Sequence, residues 1–409
     1  MLNVYVDEKG KPYKKAGKID YVAAWYFKAA QYMQGTNVRC ALVSTNSITQ
    51  GEQVADVWQP LYDRFGIHID FAHRTFRWDS ESTQKATVHC VIIGFSCNAV
   101  TSIKHLYSGS QKTIARNINP YLIDAPTIFI HSNKHPLANI PEMVKGSSPV
   151  DGGNFFLTKE ECQELLIKEP QSEKFIKRFL GAKEYLHNLP RYCLWLLSAT
   201  PSEIKRLPFI CKRIEAVREF RLNSSKAATR KYADYPTRFM ELRQPTGNYI
   251  LVPRHSSENR RYIPLGFMSP EVICGDANNM IPNATSYHFG ILESNVHMAW
   301  MRYVCGRLEM RYRYSNDIVY NNFPWPSPTD KQRAAIEQTA QAILDARALY
   351  PDSSLADLYD PVTMPPQLLK AHRANDKAVM QAYGFWGKLN TESECVAELM
   401  KMYEQLTTN

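Results

Sequence analysis

The chain has 409 residues, of which 44% are hydrophobic and 22% are charged, and its formal net charge at pH 7 is +9. This composition is typical of a soluble globular protein with two or three domains, and the basic excess is compatible with a polyanionic partner. The absence of a signal peptide and of an 18-residue apolar run argues against a membrane or exported protein. The nine cysteines show no CxxC pair and no zinc-finger spacing, so we expect reduced thiols in the cytoplasm and no metal site.

Residues 1–107 alternate between helical and strand patterns. The predicted elements are, in chain order, a helix at 19–34, a strand at 39–45, a helix at 54–65 and strands at 67–71 and 86–95. A loop that holds Phe76, Arg77 and Trp78 is expected between the last two strands. These patterns predict an α/β domain whose second half ends in an antiparallel pair.

The pattern becomes mixed between residues 108 and 328. Predicted features are a short strand at 125–130, a turn-rich segment at 147–154 and strands at 248–254 and 261–267. Thr158 and Glu161 have the spacing of a capping box, which predicts the start of a helix. We therefore expect an α+β domain in this region.

A strongly basic segment spans residues 205–231 and holds nine Lys or Arg against two Glu. On a helix, four of these side chains are placed to follow phosphates: Lys212, Arg213, Arg218 and Arg221. A solvated helix face is the alternative interpretation. Arg254 ends the predicted strand at 248–254, close to a turn, where it can reach into a groove.

Arginines and tyrosines are densest in residues 286–328. The arginines are Arg302, Arg307, Arg311 and Arg313, and the interleaved tyrosines are Tyr303, Tyr312, Tyr314 and Tyr320. Arginine binds phosphate or guanine bidentately, and the carboxylate of Glu309 can accept from a cytosine amine. We interpret this stretch as a DNA-reading surface. Its first part also has helical spacing, so Ile291, Met298 and Val304 are expected in the core.

Residues 329–409 are predicted to be helical, and Thr391 and Glu394 form a second capping-box pattern. The polar faces carry both charge signs, which favours packing against the preceding domain over independent DNA binding.

The words HFGILESNVHMAWMR, VCGRLEMRYRYS and IVYNNFPWP, together with GKIDYVAAWYFKAAQYM and VHCVIIGF, resemble the MmeI-like (type IIL) restriction-modification enzymes. These are single chains that join an endonuclease, an adenine-N6 DNA methyltransferase and a target recognition domain. The resemblance implies three parts: the C-terminal half of a class I (Rossmann-like) methyltransferase sheet at 1–107, a mixed α+β target recognition domain at 108–328 and a helical C-terminal domain at 329–409.

Two motifs that such a methyltransferase needs are missing. The chain contains no GxG for a cofactor loop and no (N/D)PP(Y/F/W) loop to hold a flipped adenine. In the family both loops precede the segment that matches residue 1. The resemblance therefore implies a fragment or split product, which needs the N-terminal methyltransferase and nuclease portion in cis or in trans. We expect S-adenosylmethionine to bind the parent enzyme and not this chain alone, which should bind double-stranded DNA without methylating it.

The resemblance also assigns site residues. Base recognition falls on Ala277 in GDANNMIP and on Glu309, Arg311 and Arg313 in GRLEMRYR, where the small Ala277 would leave room for Arg313; a surface ion network is the alternative. Trp78, with Phe76 second, is expected to stack on the flipped base, and Ser44, Thr45 and Asn46 to line the pocket. Expected contacts to the DNA backbone are Arg74, Lys212, Arg213, Arg218, Arg254, Arg302 and Arg307.

Two functions remain open from the sequence. The first is the recognition portion of an adenine-N6 methyltransferase with restriction activity. The second is a stand-alone, non-enzymatic DNA-binding specificity subunit that acts with a separate methyltransferase.

Overall fold

The computed structural model describes residues 1–78, 88–98 and 103–408. Its first region layers two helices on one sheet. The elements are α1 (Ala23–Met33), β1 (Arg39–Thr45), α2 (Glu52–Phe65), β2 (His68–Trp78), β3 (Val88–Ser96), β4 (Lys104–Ser108) and β5 (Gln111–Ala115), with 3-10 turns at Ala16–Lys18 and Asn46–Thr49. The predicted α/β character of this region is confirmed.

The five strands form one sheet in the order β1-β3-β2-β4-β5. Both β1 and β2 run antiparallel to β3, whereas β4 runs parallel to β2 and antiparallel to β5. β1 lies at one edge, and its outer side pairs with no other strand in the described part of the chain. Such an edge presents unpaired backbone donors and acceptors, which makes it a template for a further strand.

Aromatic packing holds α1 and α2 on one face of this sheet. The ring centroid of Tyr26 in α1 lies 5.3 Å from that of Trp58 in α2 and 5.4 Å from that of Phe95 in β3. On the other face, the ring of Phe71 lies over Gly94, where a Cβ atom would come within 2.1 Å of it. A glycine is needed here because Phe71 occupies the space of any side chain.

The predicted loop at Phe76, Arg77 and Trp78 is wrong, because β2 continues through these residues. The polar His73 and Arg74 interrupt the apolar pattern, which made the strand look shorter. In the structure, a register shift between His73 and Phe76 accommodates the interruption without ending the strand. The first two residues of the strand predicted at 86–95 lie outside the described residues.

The middle region is a mixed α+β assembly, as predicted. Its strands are β6 (Val144–Lys145), β7 (Phe156–Leu157), β8 (Ile176–Leu180), β9 (Tyr192–Leu194), β10 (Tyr249–Pro253), β11 (His255–Ser256), β12 (Gly266–Met268), β13 (Ile273–Cys274), β14 (Asn278–Pro282), β15 (Gly306–Leu308) and β16 (Arg311–Arg313). Its helices are α3 (Lys159–Lys168), α4 (Ala182–Leu186), α5 (Pro201–Lys205), α6 (Pro208–Leu222), α7 (Ala227–Lys231), α8 (Ser286–Leu292) and α9 (Asn295–Val304).

These strands form three small sheets, with the orders β12-β10-β14-β6, β13-β8-β9-β7 and β11-β16-β15. The capping box predicted at Thr158 and Glu161 is confirmed at the start of α3. Residues 125–130 form no strand, although Ile128 and Ile130 are buried, so their apolar pattern marks a buried extended segment without a ladder partner. Of the strand predicted at 261–267, only the end lies in a strand, since β12 begins at Gly266.

The C-terminal region is helical, as predicted, with α10 (Asp330–Ala348), α11 (Leu355–Leu358), α12 (Pro366–Tyr383) and α13 (Glu392–Thr408). The capping box of Thr391 and Glu394 is present. Gly290 of α8 lets α10 approach, because a Cβ atom there would lie 2.7 Å from the side chain of Ile336. The expected packing against the middle region is therefore confirmed.

A buried ion pair joins these two regions. The guanidinium of Arg347 lies 2.6 Å from the fully buried carboxylate of Glu293 and also bonds the Tyr359 hydroxyl. Among the residues described, no helix has both the length and the apolar character needed to cross a bilayer. The same residues gather no group of three or more His, Cys, Asp and Glu side chains that could hold a metal ion.

Candidate nucleic-acid interface

The two words to which the family resemblance assigns base recognition meet on either side of residues 254–256. The backbone N–H of Arg254 donates to the carbonyl of Ala277 at 3.2 Å, and its guanidinium donates to the carbonyl of Asp276 at 3.1 Å. The next residue, His255, pairs in the β-ladder with Arg313. One strand segment therefore places Ala277 next to the GRLEMRYR hairpin, although the two words are some thirty residues apart in the chain.

We call the β11-β16-β15 sheet the hairpin sheet. Its ladder pairs Leu308 with Arg311 across a two-residue turn, and then Gly306 with Arg313. Directly opposed residues point to the same face, and successive residues alternate. The outward face therefore consists of His255, Gly306, Leu308, Arg311 and Arg313, and the inner face of Ser256, Arg307 and Tyr312.

Glu309 at the turn adopts a left-handed backbone conformation with φ of 58°. Such a conformation costs a residue with a side chain about 1 kcal/mol relative to glycine. The carboxylate of Glu309 lies 2.8 Å from the guanidinium of Arg311, and the two side chains are 72% and 54% exposed. An exposed pair of this kind adds about 1 kcal/mol or less to folding stability, so structural demand does not account for a glutamate here.

Three of the four tyrosines of this stretch face the core, so the prediction that they belong to the reading surface is wrong; the half-buried Tyr303 lines the cleft beside Arg74. Tyr312, Tyr314 and Tyr320 are all buried. The hydroxyl of Tyr314 lies 2.8 Å from Nε2 of the buried His297, and the hydroxyl of Tyr320 donates to the carbonyl of Pro141. Burial raises the pKa of Tyr314 and lowers the pKa of His297 to about 3. Alternation along β16 sends tyrosine inward wherever arginine points outward.

Three arginines predicted to contact the DNA backbone converge instead on bonds within the protein. Arg302 pairs with Glu392 at 2.5 Å and donates to the carbonyl of Arg261 at 2.7 Å. Arg307 donates to the carbonyls of Met310 and Arg302, and its guanidinium lies 4.5 Å from the Tyr312 ring centroid.

Arg74, the third of these arginines, donates to the carbonyl of Leu122 at 2.9 Å and to the hydroxyl of Ser393 at 3.4 Å. Arg74, Arg302 and Arg307 line one cleft of about 230 Å³. We call these three the bracing arginines, because their bonds connect the first region, the middle region and the start of α13.

The basic residues of helix α6 also fall into two groups, one exposed to solvent and one bonded within the protein. Lys212 and Arg218 are exposed, and Arg218 lies 3.6 Å from Glu215. Arg213 donates to two backbone carbonyls and pairs with Glu161 at 2.7 Å. Arg221 is fully buried and donates to five carbonyls, so the prediction that it follows phosphates is wrong.

Arg254 keeps a position close to the outward face. It lines a polar cleft of about 610 Å³ together with Gly306, Arg307 and Arg313 of the hairpin sheet. The opposite wall of this cleft comes from the first region and includes Ser47 and Gln50. The cleft therefore lies between the hairpin sheet and the N-terminal end of α2.

The aromatic residues expected near a flipped base lie at the end of β2. The ring centroids of Phe76 and Trp78 are 6.2 Å apart, and Trp78 is 49% exposed. Phe76 and Trp78 are two positions apart in β2, so their side chains lie on the same face of the sheet. Residues 79–87, which follow them, lie outside the described residues.

The three polar residues at the end of β1 have different surroundings. Ser44 faces the core and bonds Tyr26, so its assignment to the pocket is not supported by this geometry. Thr45 is exposed. The amide of Asn46 reaches Oγ1 of Thr75 at 3.4 Å and Sδ of Met310 at 3.8 Å, which ties the hairpin turn to the first region.

Sequence reasoning missed His255 and Leu308 as members of the outward face. The HSSEN segment looked like a turn, whereas His255 pairs with β16. Burial lowers the pKa of His255, and the nearby Arg254, Arg313 and Arg311 lower it further, so the imidazole is neutral at pH 7. The period-two alternation of RYRYS could have indicated both the outward arginines and Leu308 on the facing strand.

Comparison with protein families gives three matches that follow one another along the chain. The MmeI DNA-methyltransferase domain matches residues 4–108, the MmeI target recognition domain residues 124–327 and the MmeI C-terminal domain residues 328–409. DNA methyltransferase A of Bacillus subtilis (strain 168) is 38% identical over 394 residues, which are 96% of this chain and 44% of that protein.

A solved structure shows the same arrangement. The type IIL restriction-modification enzyme MmeI in complex with DNA is 47% identical, with a TM-score of 0.89 over 100% of this chain and 54% of the MmeI chain. The chain thus spans about half the length of both relatives. From its ordered matches and this similarity, we conclude that the chain belongs to the MmeI-like family of restriction-modification enzymes and carries methyltransferase, target recognition and C-terminal domain segments.

Proposed function

We propose that the chain provides DNA target recognition for a type II restriction-modification protein that methylates the N6 amine of adenine with S-adenosylmethionine in the cytoplasm. The observation that carries this proposal is the outward face of the hairpin sheet. Arg311 and Arg313 lie on this face, and Glu309 lies at its turn. The carbonyl of Ala277 accepts a hydrogen bond from the backbone of Arg254, next to the sheet. These are the side chains that the family resemblance assigns to base recognition.

The chemistry of this face suits the major groove of duplex DNA, which admits a two-stranded β-ribbon. Arg311 can fork onto O6 and N7 of a guanine, while Glu309 accepts from N4 of the paired cytosine. The 2.8 Å ion pair between them already holds the two groups close enough to address one base pair. Arg313 reads a second position, and the small Ala277 leaves space beside it.

Contacts to the phosphate backbone fall on the exposed cations Lys212 and Arg218, and on the half-buried Arg254, which lines the polar cleft beside the hairpin sheet. The bracing arginines and Arg213 contribute less directly, since their donors are already used within the protein. Their role is to hold the outward face in position. The exposed Trp78 and the half-buried Phe76, whose rings lie near each other at the end of β2, are proposed to stack on the flipped adenine.

The polar residues at the end of β1 do not fit a cofactor site by themselves. β1 ends in the 3-10 turn Asn46–Thr49, where Oγ1 of Thr49 donates to the carbonyl of Asn46 at 2.8 Å and the Asn46 amide bonds Thr75. These polar atoms are used locally and form no cradle for S-adenosylmethionine. We therefore propose that the cofactor is bound by a separate catalytic portion, in cis or in trans.

The sheet topology supports a place for that portion. In the order β1-β3-β2, the central strand is antiparallel to both neighbours, and the outer edge of β1 is unpaired within the described residues. We propose that this is the second half of a Rossmann-like methyltransferase sheet and that the catalytic portion adds its strands to the free edge of β1.

The alternative is a stand-alone specificity subunit that binds DNA without catalysing a reaction. The observation that favours it is the outward face of the hairpin sheet, which is built entirely from residues of this chain. Calorimetry with S-adenosylmethionine, on the chain alone and with a catalytic half, distinguishes the two. A third titration, of the catalytic half alone, completes the test. Binding that needs both the chain and the catalytic half supports a divided enzyme, and binding by the catalytic half alone supports the specificity subunit. Binding by the chain alone contradicts both proposals.

DNA binding itself is tested through its salt dependence. We expect the affinity of the chain for duplex DNA to fall linearly on a logarithmic salt plot, and Lys212→Ala and Arg218→Ala each to reduce the slope by about 1. Lys370→Ala on α12 is the matched control and should leave the slope unchanged. Affinity that does not depend on salt would contradict the proposal.

A further inference from the structure

Leu308 is the apolar member of the outward face. It lies directly opposite Arg311 in the ladder, and its side chain is 55% exposed to solvent. The pair closes the hairpin turn, but the core is built from the inner face, where Arg307 stacks on the buried Tyr312. Hairpin folding therefore does not require leucine at this position.

The outward face also has a gap beside Arg313. Gly306, its ladder partner, has an ordinary extended backbone, and a Cβ atom there would meet no other atom within 4 Å. Neither backbone conformation nor packing requires glycine. The strand that faces Arg311 and Arg313 therefore carries no side chain at Gly306 and a leucine at Leu308. Leu308 is the apolar side chain that projects beside Arg311.

The major groove offers one apolar group to such a side chain, the C5 methyl group of thymine. Opposed side chains on a ladder start about 5 Å apart, and successive base pairs are about 3.4 Å apart. If the two strands of the hairpin lie side by side along the stack of base pairs, Leu308 would reach a pair one or two steps from the pair that Arg311 reaches. Contact with a methyl group removes apolar surface of both partners from water.

We propose that Leu308 is a further specificity residue, which reads the methyl group of a thymine within two base pairs of the pair read by Arg311. This inference rests on the proposed function of the outward face. It adds a hydrophobic contact to a recognition code otherwise made of hydrogen bonds and charges.

The test uses the 409-residue chain and duplexes selected by it from a random library. Each thymine of the selected sequence is replaced in turn by deoxyuridine, which lacks only the methyl group, and affinity is measured by fluorescence anisotropy. We expect one thymine, next to the pair whose preference changes in Arg311→Ala, to lose about fourfold in affinity on replacement, the effect of burying one methyl-sized group. In Leu308→Ala the thymine and deoxyuridine duplexes should bind equally.

Two further variants separate base reading from a general effect. Leu308→Met keeps an apolar side chain and should retain sensitivity to the methyl group. Leu349→Ala, which removes a leucine of similar exposure outside the hairpin sheet, should bind and discriminate like the unmodified chain. Circular dichroism of all variants should be unchanged.

The role of Leu308 and the proposed function are overturned by different results. A selected sequence that contains no thymine near the Arg311 position, or whose affinity is unaffected by deoxyuridine, overturns the role of Leu308 and leaves the proposed function standing. Selection of no preferred sequence overturns the proposed function and the role of Leu308 with it.

Discussion

The two faces of the hairpin sheet have the same backbone and opposite chemistry. On the inner face, Arg307 and Tyr312 are satisfied by ring stacking and backbone carbonyls, and Tyr314 bonds the buried His297. On the outward face, the only side-chain bond of Arg311 within the described residues is to the neighbouring carboxylate of Glu309, and the turn holds an unfavourable backbone conformation. The difference indicates that abundance of arginine alone does not identify a candidate binding surface, because the bonds that each guanidinium makes within the protein differ between the two faces.

The largest expected effect comes from clearing the outward face. We expect Arg311→Ala with Arg313→Ala to lose roughly 1 to 3 kcal/mol of base discrimination for each arginine, because each bidentate contact to guanine is worth that much. The free energy of unfolding should change by less than about 0.5 kcal/mol, since both side chains are exposed. Competition binding between selected and scrambled duplexes, with urea unfolding in parallel, checks both. A large loss of stability would place these arginines in the structural class.

The inner face should respond to acid instead. The pKa of His297 is about 3 in the folded chain, below its usual value near 6.5, because burial disfavours the charged form. The unfolded chain therefore binds more protons between pH 6.5 and 3, and stability falls as pH decreases through this range. From pH 6.5 to 4 we expect this histidine to contribute a loss of about 2 to 4 kcal/mol.

His297→Gln provides the comparison for this prediction. Glutamine offers Tyr314 a polar partner but does not titrate, so the variant should start less stable and lose less on acidification. Urea midpoints measured from pH 7 to pH 4 test this. Parallel curves for the two proteins would mean that His297 does not couple folding to pH.

Removing a bracing arginine should cost stability and leave sequence preference intact. Arg302→Ala loses the contacts to Glu392 and to the carbonyl of Arg261, with an expected cost of about 1 to 3 kcal/mol for hydrogen bonds of a charged group. The value should lie at the low end because the Glu392 side chain is 39% exposed. Thermal unfolding measures the cost, and a changed preferred DNA sequence would contradict the assignment.

The smallest expected effect concerns the turn. Glu309→Gly relieves the left-handed backbone conformation, so we expect stability to rise by about 1 kcal/mol or to stay unchanged if the lost ion pair offsets it. Discrimination at one base pair should disappear. Glu309→Ala is the matched control, because it removes the carboxylate without relieving the backbone.

The sequence was sufficient to predict the elements with strong periodicity and to reveal the family resemblance. It was not sufficient for features that depend on pairing between residues distant in the chain. The helices and capping boxes at Thr158 and Thr391 are set by local spacing, which a sequence displays. The extension of β2 to Trp78 depends on a register shift against β3, and the partner of Arg302 lies 90 residues away at Glu392. Neither is visible in local residue patterns.

The candidate site shows the same division. The candidate base-reading residues came from the resemblance, while the division of cations into outward and bracing sets required the three-dimensional structure. Arg221, for example, lies in the most basic segment of the chain and is fully buried. The alternation of RYRYS could have predicted that Tyr312 and Tyr314 are buried. That prediction required first knowing that residues 311–313 form a strand, in which successive side chains point to opposite faces.

The exchange Glu309→Arg with Arg311→Glu tests the central claim most directly. Selection of binding sequences from a random duplex library, by the chain and by the exchanged variant, gives the preference of each, and circular dichroism confirms that both are folded. The account predicts that the preferred sequence changes at the pair addressed by these residues and is retained elsewhere. An identical preferred sequence for both folded proteins would contradict the assignment of the outward face to base recognition.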